Sequence, residues 1–295
     1  MTTQRITQRM MVQGSLTALQ AGLGRLSDSQ EKLSTGRQIN RPSDDPTGTN
    51  EAMRLRAQLA ADTQNARNAQ DGLSWLGQTD STLQSMLDSV ARARDLMVQG
   101  ASTGGSGPDS RAAIAQELTQ IRSGLISDAN TQILGRPIFG GTTGGTAAYD
   151  ASGTFIGNGN AVNRTVSDGV SVQVNTTGPA VFSAGSDDLF SVLGDAITQL
   201  GSNPTALSGT LDRLDSVTEQ MKSGLAEVGT RYGRVQTAQD RLSSTSLDNQ
   251  SALSGVENVD VAKAIVDVQM QQVAYQSALG ATARVIQPSL LDFLR

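Results

Sequence analysis

A hydrophobic pattern with a seven-residue period runs through the first third of the chain without a change of phase. From Leu55 to Met97, most positions at alternating steps of three and four are apolar. A helix with such a seam packs lengthwise against another helix. Because few globular helices last so long, the pattern restricts the chain to an architecture of long paired helices.

A second long seam of the same kind lies in the last third of the chain, from Leu207 to Val256. The two seams are similar in length, so the chain is expected to fold back and pair them antiparallel. For both stretches, packing within the subunit is the favoured interpretation. The two chain ends would then meet.

Shorter seams lie near the two chain ends and are separated from the long ones by breaks. The two terminal helices are expected to pair with each other. Because terminal seams have fewer partners inside the subunit, they are also candidates for contact with neighbouring subunits, an assignment that draws mostly on the family resemblance given below. The predicted interface residues are Val12, Leu16, Leu19, Leu23, Leu26 and Leu33 in the N-terminal seam and Val259, Ala262, Val266, Met270 and Val273 in the C-terminal one.

Proline and glycine mark the breaks between these helices. Pro42 and Pro46 interrupt the N-terminal helix, and Pro46 suits the first turn of the next one. A further break is predicted at Gly104-Gly105-Ser106-Gly107-Pro108. The pairs Asp44-Asp45 and Asp187-Asp188 could be read as acid–base or metal-binding carboxylates, but both precede predicted helices, which favours capping.

The middle of the chain has a different character. Glycine becomes frequent after Gly135, and Val170, Val172 and Val174 alternate with polar residues as in a half-buried strand. Asn158-Gly159 and Asp168-Gly169 have the composition of tight hairpin turns. This segment is therefore predicted to form a small β insert.

The predicted fold is mainly α with a small β insert, in an antiparallel bundle of long coiled-coil helices. The expected domains are terminal helices at 1–42 and 257–295, a helical rod domain at 43–134 and 187–256, and a small β domain at 135–186.

Composition argues against several functional classes. The chain has no cysteine and no histidine, which removes the usual zinc ligands, the thiol nucleophile and the commonest general base. Its formal charge of -5 argues against nucleic-acid binding. No signal-peptide core and no stretch long enough for membrane insertion is apparent. No cofactor, no metal and no enzymatic activity are expected.

Several short motifs are similar to those of one protein family. The N-terminal signature of flagellins and hook-associated proteins resembles a segment of this chain, which begins Leu33-Ser34-Thr35-Gly36-Arg37 and continues to residue 46. The Arg-Pro-Ser-Asp-Asp-Pro ending of this segment is more similar to hook-associated protein 3 than to flagellin. Three further segments resemble motifs of the same family. They are Ile138-Phe139-Gly140-Gly141, Ala274-Tyr275-Gln276-Ser277-Ala278-Leu279 and Ser289-Leu290-Leu291-Asp292-Phe293-Leu294. The order of helices around a β insert agrees with it.

The resemblance implies a structural subunit of the bacterial flagellum with a flagellin-like fold, which joins the hook to the flagellin filament as a junction ring. Its implied partners are hook-associated protein 1, flagellin, further copies of itself in a ring, an export chaperone and the flagellar type III export apparatus. The implied location is the extracellular flagellum, reached without a cleaved signal peptide. In such a family the terminal helices form the inner coiled layer of the assembled tube.

Two alternatives remain open from the sequence. The chain could be a short flagellin that forms the filament itself. It could also be a coiled-coil signalling or secreted effector domain, which would share the heptads without the paired terminal motifs. An enzyme is the least favoured reading, because no catalytic motif is present.

Overall fold

The computed structural model describes residues 2–102 and 107–291, with side chains from 10 to 102 and from 107 to 283. Gly104-Gly105-Ser106 of the predicted break and Asp292-Phe293-Leu294 of the C-terminal motif lie outside the described residues. The helices are α1 (Thr2–Thr35), α2 (Pro46–Ala101), α3 (Pro108–Ala129), α4 (Gly178–Phe182), α5 (Leu189–Ser202), α6 (Leu207–Glu257) and α7 (Val261–Leu291). The strands are β1 (Gln132–Ile133), β2 (Arg136–Pro137), β3 (Asn163–Ser167), β4 (Val170–Gln173), β5 (Ser183–Ala184) and β6 (Asp187–Asp188).

The chain forms two compact units. Residues 1–60 and 246–295 make the first unit, and residues 61–245 make the second. Helices α2 and α6 contribute residues to both. Long helices with small antiparallel strand pairs confirm the predicted fold class. The finer division into 1–42 with 257–295, 43–134 with 187–256, and 135–186 stays a prediction.

In the second unit, α2 and α6 pair antiparallel through the predicted seams. Arg94 on α2 binds Asp215 on α6 at 2.6 Å, and Gln70 binds Gln239 at 3.2 Å, so the numbering rises along one helix as it falls along the other. Thr210 and Val217 are buried one position before the predicted seam residues Leu211 and Thr218, which are only partly buried. The other row of the predicted seam is buried at intervals of seven residues, as one of the two rows of a heptad seam should be. These buried positions are Leu207, Leu214, Met221, Val228, Val235 and Leu242.

Helix α2 is buried over a wider face than one seam predicts. Trp75, Met86 and Leu96 lie off the predicted seam and are buried. The reason is that α2 has several partners in this unit. Arg92 binds Glu117 on α3 at 2.8 Å, and a β-carbon at Gly72 would lie 3.0 Å from Val174, next to β4. Trp75 is therefore a core side chain of this unit.

The β segment contains three two-stranded antiparallel pairs, β1–β2, β3–β4 and β5–β6. The predicted turn at Asp168-Gly169 joins β3 to β4, with Gly169 at a φ of 69°. The predicted hairpin at Asn158-Gly159 is wrong. Asn158 is held by the loop of Gly140 and Thr142 instead: its N–H donates to the Gly140 carbonyl at 3.0 Å and its Oδ1 accepts from the Thr142 N–H at 2.8 Å.

Aromatic side chains cluster beside these strands. Tyr149 lies within 6 Å of three phenylalanine rings, at centroid separations of 5.4, 5.9 and 4.9 Å and with tilted or edge-on geometry. Such arrangements are favourable beyond the area that they bury. Burial also raises the pKa of the Tyr149 hydroxyl far above its usual value. The members of the cluster are Phe139, Tyr149, Phe155, Phe182 and Phe190.

One aspartate of each predicted pair caps a helix, as predicted, and the other does not. Asp45 Oδ1 accepts from the N–H groups of Thr47 and Gly48 at 3.1 and 2.9 Å at the start of α2. Asp188 Oδ2 accepts from the first N–H groups of α5. Its neighbour Asp187 binds Arg213 at 2.7 Å. These carboxylates are therefore used for local structure.

Gly178→Ala is expected to destabilise the second unit, because the new β-carbon would lie 2.6 Å from Cε2 of Tyr149. Overpacking of this kind costs about 1–3 kcal/mol. Thermal unfolding followed by calorimetry should show a lower midpoint. Gly159→Ala is the matched control, since nothing lies within 4 Å of its added carbon. Equal midpoints for both variants would contradict the assignment of Tyr149 to a rigid cluster.

Candidate subunit interface

The two terminal helices pair antiparallel within the first unit. A β-carbon at Gly22 on α1 would lie 3.6 Å from Cδ2 of Tyr275 on α7, so the tyrosine ring lies directly over the glycine. Ser15, Gly22 and Ser29 recur every seven residues and are partly buried. Small residues at this spacing let two helices approach closely, and this regularity was the signal that the sequence analysis overlooked.

The N-terminal predicted residues lie at or beside this helix pair. Four of them share one face of α1 and are half-buried in the pair with α7, whereas Leu16 and Leu23 are about half exposed, each at 51%. The four half-buried residues are Val12, Leu19, Leu26 and Leu33. The structure thus gives the first group a partner inside the chain. Contact of either group with a neighbouring copy stays a prediction.

The C-terminal predicted residues lie on the opposite side of α7 from α1. Ala264 and Val268 are buried, and Tyr275 lies over Gly22, so these residues mark the face toward α1. At 100° per residue, Val266 and Val273 fall on the far side, where they are 56% and 62% exposed. We call this exposed row the outer stripe, and it consists of Ala262, Val266, Met270 and Val273.

Val259 has a different environment, because it lies in the connection between α6 and α7. Backbone hydrogen bonds join this connection to the start of the loop between α1 and α2, and we call these bonds the backbone clamp. The N–H of Val259 donates to the carbonyl of Gly36 at 3.0 Å, and the N–H of Gln38 donates to the carbonyl of Glu257 at 2.7 Å. Arg37 and Asn258 thereby form a short antiparallel bridge. Gly36 has a φ of 68°, a left-handed conformation that favours glycine.

An ion pair between a buried glutamate and a half-exposed arginine lies next to the clamp. Oε1 of Glu257 lies 2.6 Å from Nη2 of Arg56 on α2, and the glutamate side chain is only 9% exposed. A buried carboxylate is costly unless it is paired. Through this pair, Arg56 therefore holds Glu257, which also belongs to the backbone clamp, against α2 within the first unit. Glu257 lies just after the end of the predicted seam, so the heptad pattern gave it no role.

A second charged group orders the loop between α1 and α2. Oδ2 of Asp44 accepts from the N–H groups of Arg41 and Asn40 at 2.9 and 3.1 Å. The hydrogen bond from Arg41 holds the pKa of this carboxyl below its usual value. The stabilisation is therefore present above the ordinary aspartate pKa and is lost as the pH falls through the lowered one.

The arrangement of the terminal helices is suited to packing. Within residues 10–102 and 107–283, no group of three metal-binding side chains comes together. No helix in the described part of the chain has an apolar stretch that could cross a bilayer. The first unit exposes an apolar face of α7, the outer stripe, to solvent.

Comparison with known families agrees with this architecture. The model of the bacterial flagellin N-terminal helical region matches residues 6–143, and that of the C-terminal helical region matches residues 211–294. The chain belongs to the bacterial flagellin family. As a flagellin-family protein it is a structural component of the flagellum, and the predicted resemblance is confirmed.

Individual relatives of this flagellin-family chain include both filament and hook-associated proteins. It is 29% identical to the flagellar filament 30.7 kDa core protein of Treponema maltophilum, covering 86% of each chain. It is 26% identical to flagellar hook-associated protein 3 of Salmonella typhimurium, covering 93% of this chain and 94% of the relative.

Solved structures support the same fold. FlgL of Bacillus cereus is 25% identical with a TM-score of 0.60, covering 68% of this chain and 99% of that one. The flagellar junction protein FlgL of Legionella pneumophila is 15% identical with a TM-score of 0.57, covering 71% of this chain and 100% of that one.

Arg56→Met in this flagellin-family chain is expected to loosen the backbone clamp, because it leaves the Glu257 carboxylate buried without a counter-charge. An unsatisfied buried group costs about 1–3 kcal/mol. Hydrogen exchange at the Gln38 and Val259 amides should accelerate accordingly. Arg54→Met is the control, since Arg54 pairs with Glu51 on the exposed surface of the same helix. Equal exchange in both variants would show that the ion pair does not hold the clamp.

Proposed function

We propose that this chain is the subunit that joins the flagellar hook to the flagellin filament. Its likeness to hook-associated protein 3 extends over 93% of the chain, and the outer stripe supplies a surface through which a subunit can join a tube. The mechanism is geometric. Copies of the chain form a ring whose two sides match different neighbours, and no covalent bond is made or broken.

The outer stripe is the observation that carries this mechanism. Val266, Met270 and Val273 are more than half exposed in the isolated subunit. Removing apolar surface from water is favourable by about 25 cal/mol per Å². Packing α7 against another subunit therefore provides the driving force for assembly. The terminal helices at 1–42 and 257–295 form the inner layer of the tube in this proposal.

The proposed partners follow from the position between hook and filament. Hook-associated protein 1 binds on the hook side, flagellin binds on the filament side, and further copies complete the ring. A cytoplasmic chaperone covers the exposed apolar face of the C-terminal helix until the type III apparatus exports the chain to the extracellular flagellum. Lack of cysteine suits a chain that is exported unfolded, since no thiol can react on the way.

A short flagellin is the second candidate, favoured by the likeness to the treponemal filament core protein. Deletion of the gene separates the two. Loss of a junction subunit should leave flagellin released as monomer into the medium, whereas loss of the main flagellin leaves none to be released. Immunogold labelling of purified flagella gives a second answer, because a junction subunit labels only the boundary of hook and filament.

Val266→Asp is expected to abolish incorporation into flagella while leaving the subunit folded, because the side chain is exposed in the monomer but buried in the proposed assembly. An unpaired charge is strongly unfavourable in an apolar contact. Motility and the amount of the protein in sheared flagella are the measurements. Circular dichroism of the purified variant should match the parent.

Gln272→Asp is the matched control, since it adds the same charge to an exposed position of α7 outside the outer stripe. It should assemble normally. Normal flagella with Val266→Asp would exclude the outer stripe as an assembly surface.

A further inference from the structure

The dipeptide Asn158-Gly159 forms no hairpin turn and has no part in the proposed assembly. It is the only Asn-Gly pair of the chain. The peptide nitrogen that follows an asparagine can attack the side-chain amide carbon and close a five-membered succinimide ring. A glycine in the following position favours this reaction, because it has no β-carbon to hinder the approach and has the widest choice of backbone conformations. The surroundings of the two reacting atoms decide whether the ring forms.

The side-chain carbonyl of Asn158 is surrounded by hydrogen-bond donors. Its Oδ1 accepts from the Thr142 N–H at 2.8 Å, from the Thr142 hydroxyl at 3.2 Å and from the Asn160 N–H at 3.3 Å. Attack on the amide carbon moves negative charge onto this oxygen, so the donors lie where an oxyanion would develop. The hydrogen bond from Asn160 also folds the side chain back over the peptide that follows it, toward the Gly159 nitrogen.

The neighbouring loop holds Asn158 in this orientation. Its N–H donates to the Gly140 carbonyl at 3.0 Å. Gly141 has a φ of 71°, and a β-carbon there would collide with both the backbone oxygen and Oδ1 of Asn158. Glycine at this position therefore permits the close approach of the loop. Because Asn158 is already oriented, little conformational freedom has to be lost before the ring closes.

The attacking nitrogen is accessible. Gly159 is exposed, and nothing lies within 4 Å of the position that a β-carbon would take there. Among the described residues, its N–H has no hydrogen-bond acceptor, so its proton can pass to water. Asn160 is exposed as well, so water can also reach the ring once it has formed.

Asn130 shows that donors on the carbonyl oxygen are not sufficient. Its Oδ1 accepts from the N–H groups of Ala148 and Tyr149 at 2.7 and 2.8 Å. The following nitrogen belongs to Thr131, whose N–H donates to the Asp128 carbonyl at 3.0 Å and whose side chain is branched at the β-carbon. Both features hinder the attack. The Asn-Gly pair, in contrast, combines donors on the oxygen with an unhindered nitrogen.

We propose that Asn158 and Gly159 of the folded subunit form a succinimide spontaneously, and that Asn158 is thereby converted to isoaspartate or aspartate. The Gly159 nitrogen bonds to Cγ of Asn158, and the bond from Cγ to Nδ2 breaks. Nδ2 leaves as ammonia and takes up the proton of the Gly159 N–H. Water then opens the ring at either of its carbonyl carbons. The sum exchanges an amide for a carboxyl group, with uptake of water and release of ammonia, and no electrons are transferred.

Conversion to isoaspartate changes the loop that holds the site. The main chain then runs through Cγ and is longer by a methylene group, and the oxygen that accepted from Thr142 becomes a backbone oxygen. The hydrogen bonds that join this turn to the loop of Gly140 and Thr142 are lost, and an exposed negative charge is added. Because the reaction needs only water, the modified fraction rises with the age of each molecule. The inference does not depend on the proposed function.

Peptide mapping of the full chain tests the site. The purified protein is incubated in slightly alkaline buffer and digested with trypsin at intervals. Because trypsin does not cut before Pro137, the peptide from Ser123 to Arg164 contains both Asn158 and Asn130. Fragmentation by electron transfer should place the mass gain and the isoaspartate at Asn158, with Asn130 intact. No conversion at Asn158, or equal conversion at both asparagines, would refute the proposal.

A synthetic peptide of residues 153–164 separates the effect of the fold from that of the dipeptide. Asn158 should react at least as fast in the folded chain as in the peptide, because the loop that donates to Oδ1 is present only in the chain. A folded chain that stays intact while the peptide reacts would show that these hydrogen bonds protect the asparagine, and would overturn the inference.

Gly159→Ala in the full chain should slow the reaction by about tenfold or more, because a β-carbon hinders the nitrogen and restricts its backbone. Gly144→Ala is the matched control, since it adds the same carbon at another open position of the β segment. It should leave the rate unchanged, and both variants should unfold at the midpoint of the parent. Equal rates in the two variants would exclude Gly159 as the attacking residue.

Discussion

The antiparallel contact between α1 and α7 determines what the terminal part of this molecule can do. Small residues at Ser15, Gly22 and Ser29 let the helices approach, and Tyr275 covers the glycine. A two-helix pair can bury only one face of each helix. The sequence of α7 is apolar on two faces, so pairing with α1 leaves Val266 and Val273 in water. One side of α7 therefore packs inside the subunit, and the opposite side is available for assembly.

The two units differ in the size of their hydrophobic cores. The second unit contains the continuous core formed by α2, α3, α5, α6 and the β segment, including the aromatic cluster around Tyr149. In the described part of the first unit, the buried apolar side chains are Ala52, Leu55, Ala264 and Val268. Hydrophobic stabilisation scales with buried area, so the backbone clamp and the pair of Glu257 with Arg56 supplement the small apolar core and the half-buried α1–α7 contact of this unit. A unit with so small a core gains most from contacts with neighbours.

Periodicity was sufficient to predict the helices but not all of their partners. The seven-residue rhythm of α6 correctly identified Leu214, Met221 and Val228 as core. It underestimated α2, whose residues Trp75 and Met86 face additional elements that no local pattern reveals. Asn158-Gly159 failed as a hairpin signal because tertiary hydrogen bonds to Gly140 and Thr142 outweigh the turn preference. At the terminal helices, seam positions could be recognised, but only the structure shows that Val12 and Leu19 face α7 while Val266 faces away.

The placement of Trp75 has a spectroscopic consequence. It is the single tryptophan of the chain and is buried in the second unit. Indole emission therefore reports the water exposure of that core alone. Among the described residues of the first unit, Tyr275 is the one aromatic side chain, and it lies at the contact of α1 with α7. Selective excitation of the indole thus provides a natural optical reporter for the second unit, whereas tyrosine signals combine Tyr275 with Tyr149 and Tyr232 of the second unit.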